Sequence, residues 1–195
     1  GAPGDAGNPE PPPDGGFTFG VPDTYTTAED VVLDVSFDEG VLANDIRPDG
    51  SGLTALLHVG PSHGTLVLQL NGAFVYTPSL DFAGTDQFTY LVVDDNRNEE
   101  AVEVRITVTA VNDAPRTVED LYQESETIGV SPPGVLANDT DPEGDAMTVE
   151  LVDDVDQGTL VLDPAGGFTF TPPLDFVGEV QFTYRASDGT DASAP

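Results

Sequence analysis

A block of sequence recurs at constant spacing, and that recurrence limits the possible folds more than any other feature of the chain. GVLAND at 40–45 returns at 134–139, GTL at 64–66 returns at 158–160, and QFTY at 87–90 returns at 181–184, each 94 residues further on. A fixed spacing means that nothing is inserted or deleted across the stretch, so the chain of 195 residues divides into two copies of one small domain. Upstream the register changes. Tyr25 matches Tyr122 at a spacing of 97, which places three extra residues in the first copy around Ser36 to Glu39.

Within each copy apolar residues alternate with polar ones. Leu66, Leu68 and Leu70 do so, as do Phe74 and Tyr76 before Pro78, then Phe88, Tyr90 and Val92, and then Val102, Val104, Ile106 and Val108. The second copy repeats the faces with Met147, Val149 and Leu151, with Leu160 and Leu162, with Phe168 and Phe170, and with Phe182, Tyr184 and Ala186. A period of two, broken by Gly, Pro, Asn and Asp, predicts short strands joined by turns in an antiparallel sandwich. No stretch has a helical period. The strand at Ala101 to Ala110 has no counterpart in the second copy, because its place falls past residue 195. The expected organisation is a Pro/Gly-rich tail at 1–20, a first β-sandwich at 21–111 and a second at 112–195 without its last strand.

Charge narrows the function. Thirty-six acidic residues face five basic ones, all Arg, for a net charge of −31. Such a chain repels nucleic acid and anionic membranes, and it is strained as a compact body unless salt or bound cations offset the repulsion. An extracellular or saline setting follows. The absence of Cys is compatible with a secreted protein that uses metal rather than disulfides as a staple. No apolar run of membrane-spanning length occurs, and without an initiating Met the chain is expected to be a processed product or an excised segment.

The acids are also patterned. In GVLANDTDPEGD, Asp139, Asp141, Glu143 and Asp145 fall within seven residues, and Pro142 and Gly144 impose a turn. Clustered hard oxygens in a constrained loop are what Ca2+ requires, since it takes six to eight of them. The corresponding loop in the first copy reads NDIRPD, with Ile46 and Arg47 in place of Thr140 and Asp141. Despite Asp45, Asp49, Asp94 and Asp95, the positive side chain argues against a second calcium there.

Taken in order, GVLANDTDPEGD, QGTL, FTFTP, DFVG and QFTY, with VNDAP ahead of the second copy, resemble the bacterial cadherin-like and immunoglobulin-like tandem repeats of large secreted adhesins and surface proteins. The resemblance covers 21–195. It implies an all-β fold of two tandem sandwiches, seven-stranded when complete, stacked end to end on a bacterial cell surface, with calcium at some junctions. On this resemblance Asn112 and Asp113 match the calcium-wrapping linker, Asp139 and Asp141 the DxD of the following domain, and Asp188 the acid that completes the site. Asp145 is a further candidate ligand.

Catalysis is not expected. His63 aligns with Gln157 and His58 with Val152, so neither His belongs to a shared feature, and the chain has no Cys, no Lys and no glycine-rich phosphate loop. The expected function is a non-enzymatic, calcium-braced spacer, adhesin module or filament segment. Its expected partners are neighbouring repeats or further copies of itself. The alternatives are a carbohydrate-binding module, which would need an exposed aromatic strip, and an accessory repeat of a large secreted enzyme. Finally, the missing strand of the second domain is expected either from a natural chain that continues past Pro195 or from a neighbouring copy: Phe17, Phe19 and Val21 alternate behind a flexible tether, and the segment 16–21 is a candidate strand for donation, giving a head-to-tail filament.

Overall fold

The computed structural model describes residues 20–46, 52–95, 97–123 and 127–195. It divides into two compact units, Gly1–Val111 and Asn112–Pro195. Both are built from strands, with no α-helix among the described residues.

Unit 1 is a two-sheet sandwich of seven strands. β1 (Asp23–Ala28), β3 (Leu53–Val59), β6 (Gly84–Asp94) and β7 (Glu99–Thr109) form one sheet in the order β1-β7-β6-β3. β2 (Leu33–Val35), β4 (Gly64–Leu68) and β5 (Phe74–Pro78) form the other, in the order β2-β5-β4. The alternation read in the sequence is the alternation of burial: along β7, Val102, Val104, Ile106 and Val108 point inward while Glu103, Arg105 and Thr107 face water. Those residues close on Phe74, Tyr76, Phe88 and Tyr90, all at most 1% exposed. One pairing departs from the antiparallel expectation. β1 runs parallel to β7, from Asp23 opposite Val104 to Ala28 opposite Thr109. The reason is parity, because an odd number of strands brings the chain in at one end of the sandwich and out at the other, so its first and last strands share a direction.

Unit 2 repeats the plan with fewer strands. β8 (Ile128–Val130), β10 (Thr159–Leu162) and β11 (Phe168–Thr171) form one sheet, and β9 (Thr148–Asp153) pairs with β12 (Thr183–Ser187) in the second. No counterpart of β1 or β7 occurs among its described residues. The edge of β12 that β7 covers in unit 1 is met here only by 191–193, where Ser193 N–H donates to Ala186 O at 2.8 Å and Ser187 bridges Ala192. Phe182 and Tyr184 are half-buried in consequence, whereas their counterparts Phe88 and Tyr90 are sealed.

The repeated GVLAND has a local cause in both units. Val41 N–H donates to Gly72 O at 3.0 Å, and Val135 N–H to Gly166 O at 3.0 Å, which pulls two backbones together. A Cβ on Gly40 would lie 2.4 Å from Gly72 O, and one on Gly134 would lie 2.0 Å from Gly166 O, so only glycine fits. The following Val is fully buried. A trio of aromatic rings packs edge to face behind it in each unit: Tyr25, Phe74 and Phe88 in the first, Tyr122, Phe168 and Phe182 in the second.

Candidate metal centre of the second unit

The acidic loop at 139–145 is organised by one of its own side chains. Asp141 Oδ1 accepts the N–H groups of Glu143 at 3.1 Å and Asp145 at 2.9 Å, which folds Pro142 to Gly144 into a tight turn. Asp141 Oδ2 is buried and meets no hydrogen-bond donor. A buried carboxylate oxygen without a partner is costly, and it marks a place where a cation would be stabilised.

The linker runs alongside. Arg116 and Thr140 exchange both backbone hydrogen bonds, at 2.8 and 3.0 Å, which fixes 112–118 against the loop. Asp113 N–H donates to Glu143 Oε2 at 3.2 Å. Its neighbour Asn112 reaches elsewhere, donating from Nδ2 to Asp188 Oδ2 at 2.9 Å and to Asp191 Oδ2 at 2.8 Å. Two consecutive linker residues therefore draw together the 139–145 turn and the 188–191 turn.

The six residues nominated from the sequence play different parts in this arrangement. Asp113 and Asp141 lie half-buried in the linker and the acidic turn. Asp145 is exposed, and it is its backbone N–H that contacts Asp141. Asp188 is held by its own turn: the N–H groups of Asp191 and Thr190 and the Asn112 amide keep its carboxyl below the usual range. Asp139 turns inward, 7% exposed, with Oδ1 accepting Val118 N–H at 2.8 Å and Oδ2 3.0 Å from the Tyr184 hydroxyl. That hydroxyl also lies 2.9 Å from Val135 O and 3.1 Å from Asp120 Oδ2. Burial pushes Asp120 up from its ordinary value, with the charge of Asp139 adding to the effect.

Two residues of the cluster were missed in the sequence. Asp191 was overlooked because its DGTD turn reads as an ordinary hairpin end, although its two-residue spacing from Gly189 was a usable signal. Glu143 was counted as an acid of the loop but not as the partner of Asp113.

In unit 1 the corresponding residues do other work. Asp45 Oδ1 accepts Val21 N–H at 2.7 Å, and its Oδ2 meets the Tyr90 hydroxyl at 2.7 Å. Asp94, 5% exposed, closes its own hairpin by accepting the backbone N–H and side-chain amide of Asn98. Arg47 and Asp49 lie outside the described residues, as do Phe17 and Phe19 of the candidate donor strand. Val21 is described, and its bond to Asp45 ties it to the start of its own unit.

Residues 111–195 match the cadherin-like domain family, and residues 13–107 match the bacterial Ig domain family. The chain is a tandem of bacterial Ig-like and cadherin-like repeats. Solved structures agree on the fold of the two repeats. Human CDH23 EC21-23 superposes with a TM-score of 0.54 at 20% identity, over 91% of this chain and 65% of that one. Human Protocadherin-24 EC1-2 does so with a TM-score of 0.54 at 16% identity, over 88% of each chain. In sequence, an integrin beta-like protein E of Dictyostelium discoideum is 29% identical over 117 residues, covering 54% of this chain. The tandem spans 6% of the length of that relative. No helix among the described residues is long and apolar enough to cross a membrane.

Proposed function

We propose that the tandem is a non-enzymatic extracellular module, structural or adhesive, whose cadherin-like repeat is braced by calcium. The observation that carries this reading is the buried, unpartnered Oδ2 of Asp141, set in a turn of carboxylates beside the linker. Asp113, Asp141, Glu143 and Asp145 supply hard oxygens to a bound Ca2+. Asn112, Asp188 and Asp139 hold the linker and the two turns in place around it. In a chain of net charge −31 the ion also cancels repulsion that the fold would otherwise carry. Titration calorimetry of the intact chain tests the reading: Ca2+ binds and Mg2+ binds more weakly, because Mg2+ holds its waters and demands a rigid octahedron. An absence of Ca2+ binding overturns it.

The histidines support a role without catalysis. His63 stacks on Phe82 at 4.3 Å, with the ring planes 2° apart, and His58 stands exposed on β3. The glycan-binding alternative has little support, since Phe37 is the one exposed aromatic among the described residues.

A second reading, self-association by strand donation, is favoured by the partly open edge of β12. Such an edge accepts a strand, and the segment 16–21 of another copy has the required alternation. Because Gly20 N–H is bonded to Glu100 Oε2 and Val21 N–H to Asp45, the donating residues are 19 and earlier. Head-to-tail donation does not close on itself and builds filaments. Deleting 1–19, or combining Phe17→Asp with Phe19→Asp, is expected to leave a monomer by light scattering under conditions where the parent chain assembles. Assembly that survives these changes excludes the donor, and a parent chain that stays monomeric at high concentration with Ca2+ excludes the filament.

A further inference from the structure

The entry to β1 in the Ig-like repeat holds a second buried carboxylate oxygen without a donor. Asp23 is 8% exposed, and its Oδ2 meets no hydrogen-bond partner. The residue lines a shallow cleft of about 370 Å³ with Pro22, Thr24, Tyr25, Glu39 and Asn44. Among the described residues the charged and titratable groups around it are Asp45 from the 41–46 loop, Tyr90 from β6, Tyr25 from its own strand and Glu39 from the loop at 36–40, with Glu100 of β7 acting on Asp45. None of these is positive. Asn44 and the Tyr90 hydroxyl donate toward Asp23, but Tyr90 has one hydrogen, and Val41 O at 2.7 Å and Asp45 Oδ2 at 2.7 Å also compete for it.

A cation could satisfy the orphaned oxygen, or a proton could. Calcium needs six to eight oxygens, and here both oxygens of Asp45 already accept hydrogen bonds, one from Val21 N–H and one from Tyr90. A proton needs no such shell, and a buried carboxyl with a like charge near it and no cation beside it is stabilised by taking one. We propose that Asp23, buried with one oxygen unpartnered, holds a proton, and that its neutral form keeps the start of β1 closed on the 41–45 loop, so that the entry of the Ig-like repeat loosens as pH rises.

The clasp consists of Asp45 accepting Val21 N–H and of the Tyr90 hydroxyl set against Asp45 and Val41, with Asp23 buried at the entry to β1. Loss of the proton adds a second negative charge near that of Asp45, which Glu100 already opposes. Burial, and after it the charge of Asp45, pushes the Asp23 carboxyl up to about 7, and Asp45 is raised as well, also chiefly by burial. A carboxyl raised in the folded state stabilises the fold fully below its unfolded value of 3.8, and that contribution is lost as pH rises through about 7. The window is therefore pH 4 to 8, opposite in sign to ordinary acid denaturation.

Asp23→Asn tests this, because the amide keeps the shape of the protonated acid and cannot ionise. In the intact chain with chelator present, the parent's folding constant for the Ig-like repeat should fall at least tenfold between pH 5 and 8.5, and hydrogen exchange at 20–25, corrected for its intrinsic pH dependence, should accelerate. Asp23→Asn should flatten both. Carboxyl 13C NMR of the parent chain, which needs no variant, should show an Asp resonance titrating above pH 6. Equal pH slopes in parent and variant, or the absence of such a resonance, overturn the proposal. Restoration of parent stability at pH 8.5 by Ca2+ or Mg2+, lost in Asp23→Asn, would replace the proton by a metal and overturn it equally.

Discussion

Chelating divalent cations should lower the melting temperature of the cadherin-like repeat by about 10 °C or more, and Asp141→Asn should abolish that response. The size follows from linkage. An ion that binds only the folded state, at about a hundred times its dissociation constant, stabilises by about 2.7 kcal/mol. In a domain of this length each kcal/mol moves the midpoint by roughly 4–8 °C. Asp141 is the residue to change because its Oδ2 is the buried oxygen with no donor. Two substitutions separate its roles. Asp141→Ala removes the ion's ligand and also the acceptor for the Glu143 and Asp145 amides, so it should lower the melting temperature even with chelator present. Asp141→Asn keeps an oxygen for those amides while losing the charge, so in chelator it should melt with the parent chain. Calorimetric scans of the three chains with and without Ca2+ decide the matter, and a parent midpoint that does not move on chelation overturns the brace.

Asp86→Ala should destabilise the Ig-like repeat by about 3 kcal/mol. The carboxylate is 2% exposed and accepts four donors: Ser62 and Gln87 N–H on Oδ1, both at 2.9 Å, with His63 N–H at 2.9 Å and the Tyr76 hydroxyl at 2.8 Å on Oδ2. Burial by itself would raise this carboxyl, but the four donors outweigh burial and hold it below the usual range. Truncation leaves the buried Tyr76 hydroxyl only its longer bond to His63 O, at 3.2 Å, which is the severe part. Ser62, His63 and Gln87 are exposed residues whose amides water can reach.

The second repeat supplies the control. It has Val180 and Phe170 where the first has Asp86 and Tyr76, an apolar version of the same corner. Asp86→Val combined with Tyr76→Phe should therefore lose less than Asp86→Ala, since removing both partners leaves no buried hydroxyl unpaired. Urea unfolding followed by circular dichroism measures both. A double variant less stable than Asp86→Ala would mean that the network contributes more than its unpaired remainder. The pH dependence has the ordinary sign here. A carboxyl lowered in the folded state stabilises above its unfolded value of 3.8, and the contribution disappears as pH falls through its folded value, so the effect of Asp86→Ala should shrink below about pH 4.

Much of the architecture was legible because the information is local. Alternation along Val102, Val104, Ile106 and Val108 is set by which side chains avoid water, and a strand exposes that choice residue by residue. The spacing of GVLAND likewise announced two units, and the close backbone approach at Gly40 and Gly134 explains why those letters recur. The acidic loop was legible as composition. Four acids beside Pro142 and Gly144 could be read as a turn of hard oxygens before any coordinates were known.

Which oxygen faces which donor was not legible, since that depends on segments far apart in the chain. Asp139 and Asp141 stand two residues apart in one motif and look equivalent as ligands. The fold turns the first inward to Val118 N–H and the Tyr184 hydroxyl and leaves one oxygen of the second without a donor. Nothing local distinguishes Asp23 from any other acid at the head of a strand, and packing against β6 and the 41–46 loop is what buries it. The parallel pairing of β1 with β7 was hidden for the same reason, because side-chain period says that a strand exists and nothing about its neighbour. Sequence by itself determined the repeat, the sandwich and the acidic character, all of which follow from local pattern and solvation. Tertiary structure alone decided which carboxylates are satisfied and which lack a partner, because long-range packing fixes the distance between a buried charge and its nearest donor.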